Sequence, residues 1–362
     1  MTDESYIKLT LEIAKKGKGK VSPNPLVGAV LVKDDKIIGA GFHKFFGGNH
    51  AEIEAINNSK QPVEDSTLYI NLEPCSHYGK TPPCVNSIIQ HKIKKVVIGT
   101  LDMNPLVSGN GIKLLKQAGI DVKVGILENE CIELNKFFFK YIVKKIPYVT
   151  LKIAQTLDGK IADLSGNSKW ITSLPSRKMV HTLRSEYDAV LVGTNTVKVD
   201  DPDLTVRYVE GRNPKRIILD TDLKLNGNYK LFKNLSDRNL FVVTSHNSIN
   251  KKQKIKRLTD AGVKILFVKE NKDRTLNLKD LLLSLAENDI ASVLVEGGRK
   301  IFTSFIKHDL FDDIYLFQNP RFIGNGLSVV EDLGINSIRS AIKLKVNATE
   351  KVGDDVLIII TK

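Results

Sequence analysis

With 362 residues the chain is longer than one hydrophobic core usually organises, so two domains of roughly 150 to 200 residues are expected, and its 42% hydrophobic content is ample for globular cores. The formal charge of +13 and pI near 9.4 would suit a nucleic-acid binder, yet the lysines are spread along the chain with no long basic block interleaved with aromatics. Three cysteines make no disulfide framework, Met1-Thr2-Asp3-Glu4 is acidic where a signal peptide is basic, and no apolar run approaches the ~20 residues of a membrane span. The expectation is a soluble cytoplasmic protein with no membrane or nucleic-acid partner, its charge a Lys-rich surface or a fit to small anionic substrates.

In chain order, Tyr6, Leu9 and Ile13 recur at helical spacing after Asp3 and Ser5, and Gly17 ends the pattern. Leu26 to Val32, the turn Asp34-Asp35-Lys36 and Ile37 to Gly41 read as a β-hairpin. Ahead of it Asn24 is held between Pro23 and Pro25, where its amide can read a heterocycle's edge or simply make a turn. The spacing from His50 to Ser59 predicts a helix with His50 and Glu52 in its first turn. Thr67 to Leu72 reads as a buried strand that delivers Glu73-Pro74-Cys75, and Cys84 opens a further helix, where the helix dipole favours thiolate over thiol.

His50, Cys75 and Cys84 offer one imidazole and two thiolates, three ligands for a tetrahedral Zn²⁺ with a fourth position left for water. Glu52, two residues from His50, can reach a water there without binding the metal. A structural zinc site takes four Cys or His ligands in closely spaced pairs, and the eight residues between Cys75 and Cys84 form no such knuckle. His-x-Glu with Pro-Cys is the pairing of zinc-dependent base deaminases, which typically close the site with Pro-Cys-x-x-Cys; here a loop carrying His77 and Lys80 separates the cysteines. Strands at Lys95 to Thr100 and Ile120 to Val124 then alternate with helices at Gly109 to Ala118 and Asn129 to Lys144, the last carrying Cys131 as a core residue. That alternation indicates a three-layer α/β/α domain ending near Lys144-Lys145-Ile146-Pro147.

The run from Glu73 through His77 and Lys80 to Cys84, with Ser22-Pro23-Asn24-Pro25 before it and Asp102-Met103-Asn104-Pro105 after it, resembles the deaminase half of the bifunctional riboflavin-biosynthesis deaminase/reductases. The resemblance covers residues 1–146 and departs at Asn49, where proline is expected. It implies a cytidine-deaminase-like domain whose substrate is a diaminopyrimidinone carrying a ribosylamino 5′-phosphate. Zn²⁺ on His50, Cys75 and Cys84 would then act with Glu52 as the proton carrier, and Asn24, His43, His77 and Lys80 would surround the substrate, with Lys80 near its phosphate.

The second half opens on an alternating strand, Tyr148 to Ala154, followed by Leu157-Asp158-Gly159-Lys160. Ser168-Lys169-Trp170-Ile171-Thr172 holds the single tryptophan, and Ser173 can cap a helix to about Ser185 whose Leu183 packs while His181 and Arg184 stay polar. After a strand at Ala189 to Gly193 come Thr194-Asn195-Thr196 and Asp200-Asp201-Pro202-Asp203-Leu204-Thr205-Val206-Arg207. Strands at Arg216 to Leu219, Leu240 to Thr244, Lys264 to Val268 and Ser292 to Glu296, with helices between the later ones, give a second α/β layer structure. The last strand runs into Gly297-Gly298-Arg299-Lys300 and a helix whose N-terminus can face a phosphate.

Residues 147–362 resemble the reductase half of the same family, a dihydrofolate-reductase-like α/β domain that uses NADPH. The resemblance implies cofactor contacts from Ala154, Trp170, Thr196, Asp200, Gly297 and Gly298, and substrate contacts from Lys152, Ser168, Arg184, Leu204, Arg207 and Glu296. Arg184 and Arg207 suit the 5′-phosphate as guanidinium forks. Arg299 and Lys300 stand where smaller residues are expected, and Lys152 and Asp201 are both candidates for the catalytic acid. A homo-oligomer is expected. Two other readings stay open: a nucleic-acid base deaminase with a C-terminal binding module, and a metal-stabilised scaffold with His77 as fourth ligand.

Overall fold

Alternate residues of a strand point to opposite faces of its sheet, and the first unit of this protein uses both faces. The computed structural model describes every residue except 79–81, 105, 106, 234 and 236. It divides into two units, Met1–Lys145 and Ile146–Lys362. In the first, helix α1 (Asp3–Ala14) precedes the hairpin β1 (Gly28–Lys33) and β2 (Lys36–Phe42). Helix α2 (Ala51–Asn57), strand β3 (Thr67–Leu72), helix α3 (Cys84–Gln90), strand β4 (Lys95–Thr100), helix α4 (Asn110–Gln117) and strand β5 (Asp121–Val124) follow, and helices α5 (Glu128–Leu134) and α6 (Lys136–Lys144) close the unit.

Among the described residues the strands form one sheet in the order β2-β1-β3-β4-β5, antiparallel across β2-β1-β3 and parallel across β3-β4-β5. Ala29, Leu31, Leu68, Ile70, Val96 and Ile98 face one way, onto Ala51 and Ala55 of α2, Val85 and Ile88 of α3, and Leu115 of α4. Val30, Val32, Tyr69 and Val97 face the other way, onto Tyr6, Ile7 and Leu11 of α1 and Cys131 of α5. That is the three-layer arrangement the alternation predicts, and Cys131 lies fully buried in it.

Two backbone contacts set where the chemistry goes. A Cβ added at Gly41 would lie 2.4 Å from the Ala55 nitrogen, and one added at Gly39 would lie 2.4 Å from the Ala55 oxygen. Only glycines let α2 lie this close to β2, which fixes His50 and Glu52 at the start of that helix. The predicted helix from Asn129 to Lys144 is in fact two, broken at Asn135. The Asn135 side chain accepts from Leu26 N at 2.7 Å and donates to Leu26 O at 3.0 Å, and this tie to the segment before β1 overrides a hydrophobic pattern that runs straight through.

The second unit begins with β6 (Tyr148–Thr156), β7 (Lys160–Asp163), α7 (Leu174–Glu186), β8 (Ala189–Gly193), α8 (Thr194–Asp200) and β9 (Lys215–Leu219). It continues with β10 (Leu240–Ser245), α9 (Lys252–Asp260), β11 (Lys264–Val268), α10 (Leu278–Glu287), β12 (Ser292–Gly297) and α11 (Arg299–Lys307). Strands β13 (Asp313–Asn319), β14 (Gly326–Ser328), β15 (Lys345–Val352) and β16 (Asp355–Thr361) complete it. The main sheet runs β11-β10-β9-β8-β12-β6-β13-β16-β15, parallel from β11 to β13 and antiparallel at the β13-β16-β15 end. Strand β7, helix α8 and the last four strands lie outside the sequence expectation. Helix α8 buries only Val197, and β15 is exposed over all but its last residue, so neither carries a readable apolar period. Among the described residues no helix is long and apolar enough to cross a membrane.

Helix α7 is clamped at its N-terminus by one carboxylate. Asp355 of β16 accepts from Ser173 N at 2.8 Å, Ser173 Oγ at 2.7 Å, Ser176 Oγ at 2.5 Å and Asn319 Nδ2 at 2.5 Å. Burial alone would raise its pKa, but the donors from Ser176, Asn319 and Ser173 hold it below the usual carboxylate range. A depressed folded-state pKa contributes stability that is complete above the unfolded value of about 4 and is lost as pH falls through the folded value. Asp355→Asn is therefore expected to cost about 2 kcal/mol at neutral pH, a penalty that shrinks as the solution is acidified towards the folded-state pKa, as read by urea unfolding.

Candidate functional sites

In the first unit His50 immediately precedes α2, Cys75 follows β3 by three residues, and Cys84 is the first residue of α3. Their ligand atoms all lie within 4.8 Å of one another. His50 Nδ1 is 3.2 Å from Cys84 Sγ and 3.5 Å from Cys75 Sγ, and Cys84 N donates to Cys75 Sγ at 3.3 Å. Donation from the Cys84 thiol, and after it from His50, holds Cys75 below the usual thiol range, while the same pairing and burial push Cys84 up. One imidazole nitrogen and two sulfurs at this separation fit a zinc ion with a fourth position left over. Among the described residues the cluster has no fourth His, Cys, Asp or Glu ligand, and His77 is exposed and outside it.

Glu52 is buried beside the cluster. Burial first, and the Cys75 charge second, raise its carboxyl to about 7. Asn24 and His43 stand on the other side: Asn24 Nδ2 is 3.1 Å from His43 Nε2, and the His43 ring meets His50 edge-on at 5.4 Å. The contact of His43 Nδ1 with the Asn49 carbonyl at 2.9 Å assigns the proton to Nδ1 and leaves Nε2 to accept from Asn24. Asn49 thus takes part through its backbone, and burial keeps His43 neutral by lowering its pKa. Lys80, with Gly79, Thr81 and Pro105 of the quoted motifs, lies outside the described residues.

Glu73 is a positioning residue that the sequence reading passed over. Buried just ahead of Pro74-Cys75, it accepts from Asp102 N at 3.2 Å, Gly109 N at 3.0 Å and Gly111 N at 3.0 Å. It thereby ties the Cys75 segment to the start of α4. An acidic residue at the exit of an apolar strand was its only sequence signal.

The second unit holds a cavity of about 410 Å³ at the carboxyl ends of β6, β8 and β12. Ala154, Trp170, Thr196, Asp200, Gly297 and Gly298 all line it, and so do Lys152, Ser168, Arg184, Leu204, Arg207 and Glu296. At its floor Arg184 grips Glu296 with both edges, Nε to Oε1 at 2.6 Å and Nη2 to Oε2 at 2.8 Å, and Nη1 donates to Thr205 O at 3.1 Å. Burial would raise the Glu296 pKa, but Arg184 and then Lys152 bring it below the usual range, and burial lowers that of Lys152. Arg207 pairs with Asp203 at 2.5 Å. A Cβ on Gly298 would lie 3.2 Å from Thr196 Oγ1, so the bare turn leaves a shallow cradle in front of α11 that suits a cofactor's phosphates.

His181 is also part of this wall, although the sequence reading left it simply polar. It is buried, its Nδ1 accepts from Arg207 N at 2.8 Å, and its ring meets Tyr208 at 4.6 Å. Burial, and then the charges of Arg184 and Arg207, lower it to about 4, so it stays neutral and orders the backbone beneath Arg207. Asp201 lines the same cavity, where its Oδ1 accepts from Lys230 N at 2.8 Å.

Comparison with known proteins gives matches to both units. The model of the cytidine and deoxycytidylate deaminase zinc-binding region matches residues 1–100, and that of the RibD C-terminal domain matches residues 147–358. The riboflavin biosynthesis protein RibD of Aquifex aeolicus is 47% identical over 98% of this chain and 97% of its own, and that of Bacillus amyloliquefaciens is 40% identical over 98% and 95%. A solved diaminohydroxyphosphoribosylaminopyrimidine deaminase/5-amino-6-(5-phosphoribosylamino)uracil reductase from Thermotoga maritima is 42% identical with a TM-score of 0.86, covering 99% of this chain and 98% of its own. Acinetobacter baumannii RibD, 34% identical, superposes with a TM-score of 0.90 over 99% and 98%.

Proposed function

The chain belongs to the RibD family of riboflavin biosynthesis, bifunctional enzymes that are both deaminase and reductase, and from that premise we propose how its two units divide the work. Residues 1–146 form the deaminase domain and residues 147–362 the reductase domain. The observation that carries this reading is the pairing, in one chain, of a His-Cys-Cys cluster beside a buried glutamate with a cavity lined by all twelve expected reductase positions.

His50, Cys75 and Cys84 would hold zinc, which when bound supplies the Lewis acidity that brings the pKa of water towards ~7. Glu52 takes the proton from the water that attacks the amino-bearing ring carbon; the carbon–nitrogen bond then breaks, and Glu52 returns the proton to the departing ammonia. Its position near 7 suits a group that must do both. Asn24 and His43, locked to each other, present the amide edge that orients a diaminopyrimidinone. His77 and Lys80 belong to the loop that would meet its ribosyl 5′-phosphate.

In the second unit Ala154, Trp170, Thr196, Asp200 and the Gly297-Gly298 turn would hold NADPH, which when bound supplies the reducing equivalents. The substrate is held by Ser168, Leu204, Glu296 and Lys152. Arg184 uses Nε and Nη2 on Glu296 and Nη1 on Thr205 O, whereas Arg207 uses only Nη1 on Asp203, so the phosphate falls first to Arg207. Lys152, buried beside Glu296, is favoured as donor of the proton to the sugar oxygen released when the ribose opens, over Asp201, which lines the cavity as an acceptor from Lys230 N. Three free cysteines, two of them proposed as thiolate ligands, suit a reducing cytoplasm. The same reading takes the enzyme as a homo-oligomer acting on a free nucleotide, with neither nucleic acid nor membrane as partner.

Metal analysis of the purified protein is expected to find zinc in the wild type and in Cys131→Ser, and to find it lost from Cys75→Ser and Cys84→Ser. Glu52→Gln should keep its zinc yet release ammonia at least ~10²-fold more slowly, while still oxidising NADPH at the wild-type rate with the deaminated substrate. Lys152→Met should do the reverse, losing ~10² in NADPH oxidation with ammonia release intact. Loss of both activities in either variant would contradict two separate sites.

A further inference from the structure

Helix α7 brings Arg177, His181 and Arg184 to the cavity of the second unit. Two of the three have partners: Arg184 closes on Glu296, and His181 accepts from Arg207 N. Arg177 differs. Its Nε and Nη1 are shut off from solvent, and neither has a hydrogen-bond acceptor within reach; among the described residues no carboxylate pairs with it. What it does meet is the Trp170 indole, whose ring centroid lies 4.1 Å from the guanidinium carbon.

A guanidinium cannot shed its proton, so closed-off N–H groups without an acceptor keep their desolvation cost. The cover over them is slight. Trp170 is 60% exposed, and the bond from Arg321 Nη1 at 3.4 Å goes to its backbone carbonyl, not to its ring. Seven residues of helix put Arg177 about 10 Å along the axis from Arg184, so an acceptor at Arg177 is distinct from one held beside Arg184 and Arg207. Seven Lys and Arg against four Asp and Glu line the cavity, and that surplus calls for an anionic ligand.

We propose that Arg177 is an additional ligand-binding residue of this cavity, whose N–H groups take a phosphate oxygen of the bound ligand once the Trp170 indole has turned away. A phosphate matches the guanidinium fork in geometry as well as charge. The inference rests on the reading of the cavity as a reductase site, where the phosphate can come from the cofactor or from the phosphorylated pyrimidine.

Trp170 is the only tryptophan of the chain, so its fluorescence reports a ligand arriving at this wall, and the part of the change that depends on Arg177 is the part lost in Arg177→Met. The full chain and its Arg177→Met and Arg177→Lys variants are titrated with NADP⁺ and, separately, with ribose 5-phosphate, and melting is followed with and without each. The expected result is a change in wild-type tryptophan emission with the ligand whose phosphate reaches Arg177, and binding of that ligand weakened about tenfold or more in Arg177→Met. Arg177→Lys, which keeps the charge but lacks the fork, should weaken the same ligand to a lesser degree. The ligand-free melting temperature of Arg177→Met should be unchanged or higher, because two closed-off nitrogens without an acceptor have gone, while the ligand-induced rise is lost. Wild-type affinity of both variants for both ligands would overturn the inference alone. So would a fall in ligand-free melting with the ligand-induced rise intact, which marks a structural stack. Binding of neither ligand by the wild type would contradict the reductase reading itself and remove the inference with it.

Discussion

Parallel strands in one sheet all end at the same edge, and both units of this enzyme depend on that constraint. Polar backbone and side chains gather where the strands stop, just beyond the apolar core. In the first unit β3 ends in Glu73-Pro74-Cys75, and in the second β6, β8 and β12 end in the residues that wall the cavity. Helices starting at the same edge complete each site: α2 and α3 bring Glu52 and Cys84, and α8 and α11 bring Thr196 and the Gly297-Gly298 turn. Glycine decides how closely those elements approach. Gly39 and Gly41 draw α2 onto β2, while the bare Cα of Gly298 opens space beside Thr196.

The two sites handle charge in opposite ways. The deaminase site isolates one carboxyl from water, so that Glu52 sits near neutrality with sulfur and imidazole beside it. The reductase cavity pairs its charges, Arg184 with Glu296 and Arg207 with Asp203, and keeps His181 neutral between two guanidinium groups. Pairing of this kind fixes the side chains of the wall, and the basic residues left over give the cavity its positive surplus. Arg177 has two closed-off guanidinium nitrogens without an acceptor, which is why it stands out as a group waiting for an anion.

Much of this was legible in the residues. His50, Cys75 and Cys84 are rare types at a telling spacing with Glu52 two residues from the first, and the strands that deliver them are short apolar runs bounded by turns. The core of the second unit, from β6 to β12, read equally well because its parallel strands are apolar on both faces. Other features could not be read because their causes are tertiary. Asn135 breaks a continuous apolar pattern by bonding to Leu26, more than a hundred positions away. Strand β15 is exposed, so no alternation marks it, and α8 buries one residue. The roles of Glu73, His181 and Arg177 lie in who their partners are, or in the lack of one, and neither is written in the identity of the residue.

The central claim is that one chain carries two separate sites that act in turn on one phosphorylated pyrimidine. Mass analysis of the product formed from the diaminopyrimidinone phosphate, with and without NADPH, tests it most directly. Without NADPH the account predicts a product in which one amino group has been replaced by oxygen and nothing else has changed; with NADPH it predicts that same product carrying two further hydrogens in its sugar chain. Reduction without prior loss of the amino group, or an unchanged mass in the absence of NADPH, would contradict it.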